Sequence, residues 1–254
     1  MNWIRGLLLG LMLASGAALA AETSAGATAI NRAGELRMLS QRIVKAYAQV
    51  GMGVQPKVDR QILAESVRRF DADLRWLEDF PGVDGGRLSE LKGRWKEFGR
   101  IFHDSPELAQ AAALNSTAEG ILNLAEGLTQ GLAQSDGGEI GRLVNLAGRQ
   151  RMLSQRLAKA FMLRAWGHPD PRLRSEMEDA AHEFTHGLDT LRRYRGNSPD
   201  IKAEINELAL QWEWLGAAIA TEGTGSYRLI VAESSEAILA SADRLTTLYE
   251  RLGR

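Results

Sequence analysis

Two arginines stand at equivalent places in two copies of one polar motif. Residues 31–45 read NRAGELRMLSQRIVK and residues 145–159 read NLAGRQRMLSQRLAK, with ten of fifteen positions identical at an offset of 114 residues. Both copies keep an arginine, Arg37 and Arg151. A guanidinium group offers a planar fork of N–H donors that suits carboxylates and trigonal oxoanions. The motif therefore points to the binding of a small anion.

Other polar positions of the motif are retained as well. Duplicated helices that diverge keep their apolar pattern because it forms the core, whereas a retained polar pattern needs a further reason. We therefore expect these positions to line a ligand site together with the two arginines. The matched pairs are Asn31 and Asn145, Gly34 and Gly148, and Ser40 and Ser154.

On a helix, each arginine falls in a seam of small and apolar residues. The residues that share the face of Arg37 are Ala33, Ser40, Val44 and Tyr47. A guanidinium in such a seam loses part of its hydration and needs a partner of opposite charge. No acid repeats on the seam, since Glu35 is matched by Arg149. We expect the two seams to pack face to face around an anion; the alternative is that the arginines reach water, backbone or acids elsewhere in the bundle.

The elements that would carry these residues are helices. Each copy shows four amphipathic stripes with apolar steps of three and four and no sustained alternation of strand type. Beyond residue 82 the offset becomes 117, and Trp95 then matches Trp212 as a core anchor. The repeated Arg42 and Arg156 are expected at the surface or at helix ends.

The stripes and the short connections between them predict an all-α protein. We predict two tandem up-down four-helix bundles that arose by internal duplication, over residues 21–136 and 137–254. One fused eight-helix body is the alternative.

The N-terminus has the pattern of an export signal. Arg5 precedes an apolar run at residues 6–13, and residues 18–20 read ALA, a small-residue cleavage pattern. We predict a cleaved signal peptide over residues 1–20 and a soluble periplasmic mature chain; an uncleaved anchor is the alternative. The chain has no cysteine, which excludes disulfides and thiolate metal sites. A formal net charge of −1 is not the strongly basic balance that is typical of nucleic-acid-binding proteins.

A short histidine motif raises the question of zinc catalysis. Residues 182–186 read HEFTH, which fits the H-E-x-x-H pattern of zinc proteases. Glu204 and Glu207 lie at a sequence distance suited to a third ligand. However, Phe184 falls on the apolar stripe, so the histidines would flank the polar side of that helix. No nucleophile–base pair and no phosphate loop stand out either, and we expect no metal, no cofactor and no enzymatic activity.

The string N-x-A-G-x-x-R-M-L-S-Q-R resembles the P-box of the PilJ-type domain, the N-terminal domain of type IV pili methyl-accepting chemotaxis transducers. That domain is related to the periplasmic sensor domain of NarX-like nitrate/nitrite histidine kinases. The resemblance implies a four-helix bundle with the P-box on its first helix. It also implies that the P-box arginine binds nitrate between two first helices, and this arginine matches Arg37 in one copy and Arg151 in the other.

From the residues and the resemblance together, we expect a sensor-type protein that binds a small oxoanion such as nitrate or nitrite. The site would form within one chain or across a homodimer. A membrane receptor or a histidine kinase is the expected signalling partner. The alternative is an interaction module whose repeated seam docks onto a membrane chemoreceptor or a pilus-signalling partner.

Overall fold

A computed structural model describes the backbone of residues 3–101, 105–135, 138–220 and 225–252, and the side chains of these ranges from residue 25 onward, except 225 and 226. This part of the chain contains helices and no strand. The predicted signal peptide lies outside the residues whose side chains are described. The helices are α1 (Trp3–Met52), α2 (Pro56–Glu78), α3 (Gly85–Ile101), α4 (Leu108–Ser135), α5 (Gly138–Trp166), α6 (Arg172–Arg193), α7 (Pro199–Ala220) and α8 (Gly225–Leu252).

The four helices of each half pack around the first one in the same way. α1 packs against α2 and α4, and α4 packs against α3; α5 packs against α6 and α8, and α8 packs against α7. Phe70 stacks on Trp95 with ring centroids 3.9 Å apart, and Phe184 stacks on Trp212 at 3.8 Å. Both tryptophans pack against the core, as the sequence predicts.

The two halves meet along α1 and α5, a contact that we call the joint. It is the most extensive contact between any two described helices. Ala33 and Ala147 are fully buried. Their small side chains let the two helices approach closely. The buried residues of both halves form one hydrophobic cluster. The prediction of an all-α bundle fold is confirmed, and the joint gives the two four-helix halves a shared core.

One ion pair occurs in both halves with its charges reversed. In the first half, Arg69 on α2 donates to Glu35 on α1. In the second half, Arg149 on α5 donates to Glu183 on α6 at 2.6 Å. The two pairs occupy equivalent positions at the offset of 114 residues. Exchange of both charges keeps the attraction, which is the pattern expected of a duplicated unit.

None of the helices, as far as their residues are described, is both long and apolar enough to cross a membrane.

Candidate functional site

Arg37 and Arg151 lie at the joint, one from each motif-bearing helix. Their relative exposures are 0% and 1%. The Nη2 atoms of Arg37 and Arg151 lie 3.8 and 3.1 Å from the position that a Cβ atom on Gly148 would occupy. The two seams therefore pack face to face and bring both guanidinium groups to one place in the interior.

Each arginine has a carboxylate partner within its own half. Arg37 Nη1 donates to Glu126 Oε2 on α4 at 2.6 Å, and Arg151 Nη1 donates to Asp243 Oδ1 on α8 at 2.5 Å. The expectation that these arginines lack an internal counter-ion is wrong, because the acids come from the fourth helix of each half and not from the seam. Glu126 and Asp243 are equivalent positions at the offset of 117 residues. An argument from unmatched charge therefore no longer supports an anion site.

The repeated asparagines act across the joint. Arg37 Nη2 donates to Asn145 Oδ1 at 2.9 Å, and Arg151 Nη2 donates to Asn31 Oδ1 at 2.7 Å. Each half thus supplies an arginine and an acid to its own side and an amide oxygen to the other side. The two copies of the motif complete each other only when α1 and α5 are packed together.

The repeated serines serve their own helices. Ser40 Oγ donates to the carbonyl oxygen of Arg37 at 2.7 Å, and Ser154 Oγ donates to that of Arg151 at 2.9 Å. Both bonds close one turn directly beneath the arginine. The structure therefore assigns the serines to the support of the arginine backbone.

The repeated glycines leave room for the guanidinium groups. A Cβ atom on Gly34 would lie 2.9 Å from Arg37 Nη2, and one on Gly148 would lie 3.1 Å from Arg151 Nη2. Glycine otherwise weakens a helix interior by about 0.5–1 kcal/mol relative to alanine. Glycine is needed here despite this cost, because a buried guanidinium group occupies the space beside each glycine that a Cβ atom would need.

Gly34→Ala is expected to destabilise the protein by about 1–3 kcal/mol, since a methyl group would displace a fully buried guanidinium. Gly93→Ala is the matched control, because Gly93 lies in the interior of α3 with nothing within 4 Å of its Cβ position. The control is expected to gain about 0.5–1 kcal/mol from helix propensity alone. Urea unfolding of both variants measures the difference. Equal gains would show that the glycine does not make room for Arg37.

Burial and the neighbouring charges together shift the pKa values of Arg37 and Glu126. Burial lowers the pKa of Arg37, as do the nearby cations Arg149 and Arg151, while Glu126 opposes these effects. Burial alone would raise the pKa of Glu126, but Arg37 and Arg149 outweigh it and the pKa falls below its usual value. Arg37 and Arg149 therefore share the Glu126 carboxylate, since Arg149 Nη1 also donates to Glu126 at 2.8 Å.

One donor on each central arginine is unused. The Nε atoms of Arg37 and Arg151 are buried and have no hydrogen-bond partner among the described residues. A buried donor without a partner costs about 1–3 kcal/mol. The joint can therefore offer a hydrogen bond from each side to a further acceptor.

A second ionic cluster fixes α1 to the opposite half. Arg42 Nη2 and Lys45 Nζ lie 2.5 and 2.6 Å from the carboxylate oxygens of Glu236 on α8. Burial would raise the pKa of Glu236, but Lys45 and Arg42 outweigh it and lower that pKa to about 2. Arg42 is only 6% exposed, so its predicted surface position is wrong. Arg42 is buried because it contacts Glu236 on α8, so that its side chain lies between the two halves.

The equivalent cluster lies on the other side of the joint. Arg156 and Lys159 on α5 bind Glu119 on α4 at 3.0 and 2.7 Å. Glu176 on α6 adds a second carboxylate, 2.7 Å from Lys159. Arg156 is thus also an interhelical residue and not a helix-end residue. Sequence reasoning missed both clusters, although Glu119 and Glu236 match at the offset of 117 residues.

The histidine motif lies on a helix surface. His182 and His186 are exposed while Phe184 is buried, as its stripe predicts. The glutamate of the motif, Glu183, accepts hydrogen bonds from Arg149. Across the described ranges, no group of three metal-binding side chains comes together. The arrangement is that of a solvated helix face with an interhelical ion pair.

The fold and the paired motif place the chain in the class of helical-bundle domains. The family model described as "Type IV pili methyl-accepting chemotaxis transducer N-term", PilJ, matches residues 18–80 and 132–250. These ranges cover most of the chain, and the protein therefore belongs to the PilJ family. Domains of this family are extracytoplasmic sensory domains of chemoreceptors. Comparisons with curated proteins and with solved structures gave no significant match.

Proposed function

We propose that this chain is a periplasmic sensor-type protein that binds a small oxoanion, such as nitrate or nitrite, at the joint. Membership of a sensory-domain family supports the sensory role, and the export pattern of residues 1–20 supports the location. The observation that carries the anion proposal is the convergence of Arg37 and Arg151 with both Nε donors buried and unpartnered. Asn31 and Asn145 orient the two groups from opposite sides.

The internal carboxylates determine how an anion can bind. Glu126 is held by Arg37, Arg149 and Gln130, and 21% of its side chain is exposed. Asp243 binds Arg151 through one oxygen, and 47% of its side chain is exposed. The less deeply held carboxylate exchanges more readily, because less of its hydration has been lost. We therefore propose that the oxoanion replaces the Asp243 carboxylate on Arg151 and also contacts the guanidinium group of Arg37.

This exchange links binding to helix position. Asp243 belongs to α8, which packs along α5. Replacement of its carboxylate by a free anion removes one attachment between these helices. The proposal thus gives a route by which a small ligand alters the surface that a membrane receptor or histidine kinase would contact.

A thermal-shift screen tests the anion proposal. Nitrate and nitrite are expected to raise the melting temperature at constant ionic strength relative to chloride, because a ligand that binds the folded state stabilises it in proportion to ln(1 + [L]/Kd). The double variant Arg37→Met with Arg151→Met should lose the shift. Arg172→Met is the control, since 86% of the Arg172 side chain is exposed. No shift in the native protein, or an equal shift in the double variant, would refute the site.

An exposed apolar pair on α7 favours a second function, that of an interaction module. Leu210 and Trp214 are 52% and 68% exposed and lie one helical turn apart. The equivalent positions in the first half are Gly93 and Glu97. Contiguous exposed apolar groups mark interaction surfaces. Capture of a membrane chemoreceptor by the native protein, lost in Trp214→Ala and unaffected by nitrate, would support this function over the first.

A further inference from the structure

A wide cleft opens between the two halves, where α4 of the first half faces α6 of the second. Both helices pack against α5, and Arg156 of α5 lines the cleft between them. Residues 168–171, which connect α5 to α6, form a further wall. The volume of the cleft is about 740 Å³, within the range of small-molecule sites. None of the residues that line it belongs to the arginine network of the joint.

The equivalent groove, between α8 and α2, is bridged by a hydrogen bond. There Gln55 Nε2 donates to Glu233 Oε1 at 2.9 Å. At the offsets of 114 and 117 residues, the matching positions are Pro169 and Ser116. Proline has no side-chain amide to donate, so this bridge cannot form across the cleft between α4 and α6. The duplication therefore left one groove bridged and the other open.

The cations at the open cleft are already paired with acids. Arg156 and Lys159 share the two carboxylates of the ionic cluster on this side of the joint, with N···O distances of 2.7–3.2 Å. Two cations thus meet two anions. Arg172 binds Asp170 at 2.8 Å. An anionic ligand would have to break one of these pairs, so the cleft is poorly suited to an acid.

Asn115 lines the cleft with a buried acceptor. The residue is 8% exposed, and its Oδ1 atom has no hydrogen-bond partner among the described residues. A buried acceptor without a partner costs free energy. The matching residue of α8 is Ala232, so helix packing at this position does not require an amide. A ligand that donates a hydrogen bond to Asn115 Oδ1 would remove the cost.

Asp179 adds an uncompensated negative charge on the α6 wall of the cleft. Its equivalent in the first half, Glu65, lies 3.9 Å from Arg69. The residue that matches Arg69 is Glu183, so the duplication deprived Asp179 of this cation. Because the other acids of the cleft are paired with Arg156, Lys159 and Arg172, the Asp179 charge is in excess.

We infer that this cleft binds a small organic amine, a molecule with one ammonium group and an uncharged body. An ammonium group has three N–H donors and no acceptor, which suits a cleft whose uncommitted groups accept. The ammonium group donates to Asn115 Oδ1, and Asp179 balances its charge. The body lies against Pro169 and Pro171. This is a second ligand site, separate from the proposed oxoanion site at the joint.

An NMR titration with benzylamine tests the inference at about pH 8, where the amine is protonated and an ordinary imidazole is neutral. One molecule is expected to bind per chain and to shift the amide signals of residues 112–119 and 168–179, with the side-chain amide of Asn115 among them. Benzyl alcohol has a body of the same size without the charge. It should bind at least about tenfold more weakly.

Two variants separate the acceptor from the charge. Asn115→Ala introduces the residue of the equivalent groove, and Asp179→Asn removes the charge. Each should weaken benzylamine binding by about tenfold, the value of one charge-assisted hydrogen bond. Glu178→Gln is the matched control, because it removes the same charge from the next residue of α6. Glu178 lies 3.4 Å from Arg174 and does not line this cleft, so the affinity should be unchanged.

Absence of benzylamine binding, or binding that neither Asn115→Ala nor Asp179→Asn weakens, would overturn the site. Equal losses in Glu178→Gln and Asp179→Asn would show a general effect of protein charge and would also overturn it. Equal affinity for benzylamine and benzyl alcohol would overturn the assignment of an amine. All these outcomes are independent of nitrate binding at the joint.

Discussion

Glu236→Gln is expected to lower the free energy of unfolding by about 3–5 kcal/mol, the cost of leaving a buried charge without its partner. Glu236 binds both Arg42 and Lys45, which are 6% and 0% exposed. The variant would remove this shared carboxylate from two buried cations. Equilibrium unfolding in urea measures the loss. Glu233→Gln is the control because Glu233 lies on the same helix but at the surface. Equal effects in the two variants would show that the cluster does not stabilise the joint.

The same carboxylate predicts an acid dependence. Its pKa is about 2 in the folded protein against an ordinary 4.5. Because the folded pKa is the lower one, the stabilisation is complete above about pH 4.5 and is lost as the pH falls towards 2. Its size is ~3 kcal/mol. Glu236→Gln should therefore show a flatter decline of stability in this range than the native protein, and an unchanged decline would contradict the assignment.

Glu126→Gln is expected to destabilise the protein by a comparable amount, about 3–5 kcal/mol, since Arg37 would lose its carboxylate at the centre of the joint. Nitrate should offset part of this loss, because a free anion can then occupy the vacated side of Arg37. Urea unfolding of the variant in nitrate and in chloride at equal ionic strength measures the offset. Glu236→Gln provides the control, as its cations lie in a different cluster. A nitrate effect equal in both variants would be a general salt effect and would contradict the anion site.

Helical periodicity made the fold predictable. Apolar steps of three and four identify an amphipathic helix whatever its neighbours are, and the repeated stripes predicted helices with Trp95 and Trp212 against the core. The face-to-face packing of the seams was also predictable, because Ala33 and Ala147 permit close approach. The extent of the joint was not, since helical patterns do not report which of two apolar faces meets which partner.

The counter-ions of the arginines could not be read from the motif itself. Glu126 and Asp243 lie far from Arg37 and Arg151 in sequence and on different helices. A signal did exist: these acids match at the offset of 117 residues, the offset that the match of Trp95 to Trp212 had already established. Repeated acids on one helix and repeated cations on another are the pattern that predicts such pairs.

The local sequence did not predict that each arginine takes its asparagine partner from the other half. Asn145 serves Arg37 and Asn31 serves Arg151, which depends on how α1 and α5 are aligned. Because the second half supplies what the first half needs, one chain completes both arginine sites. The predicted homodimer stays a prediction that these sites do not require.

The most direct measurement is the affinity of nitrate for the native protein and for Asp243→Asn, by titration calorimetry at constant ionic strength. If an oxoanion binds at the joint in exchange for the Asp243 carboxylate, removal of that charge should strengthen nitrate binding, and the further change Arg151→Met should abolish it. Nitrate that binds no more tightly to Asp243→Asn than to the native protein would contradict exchange at the arginine pair.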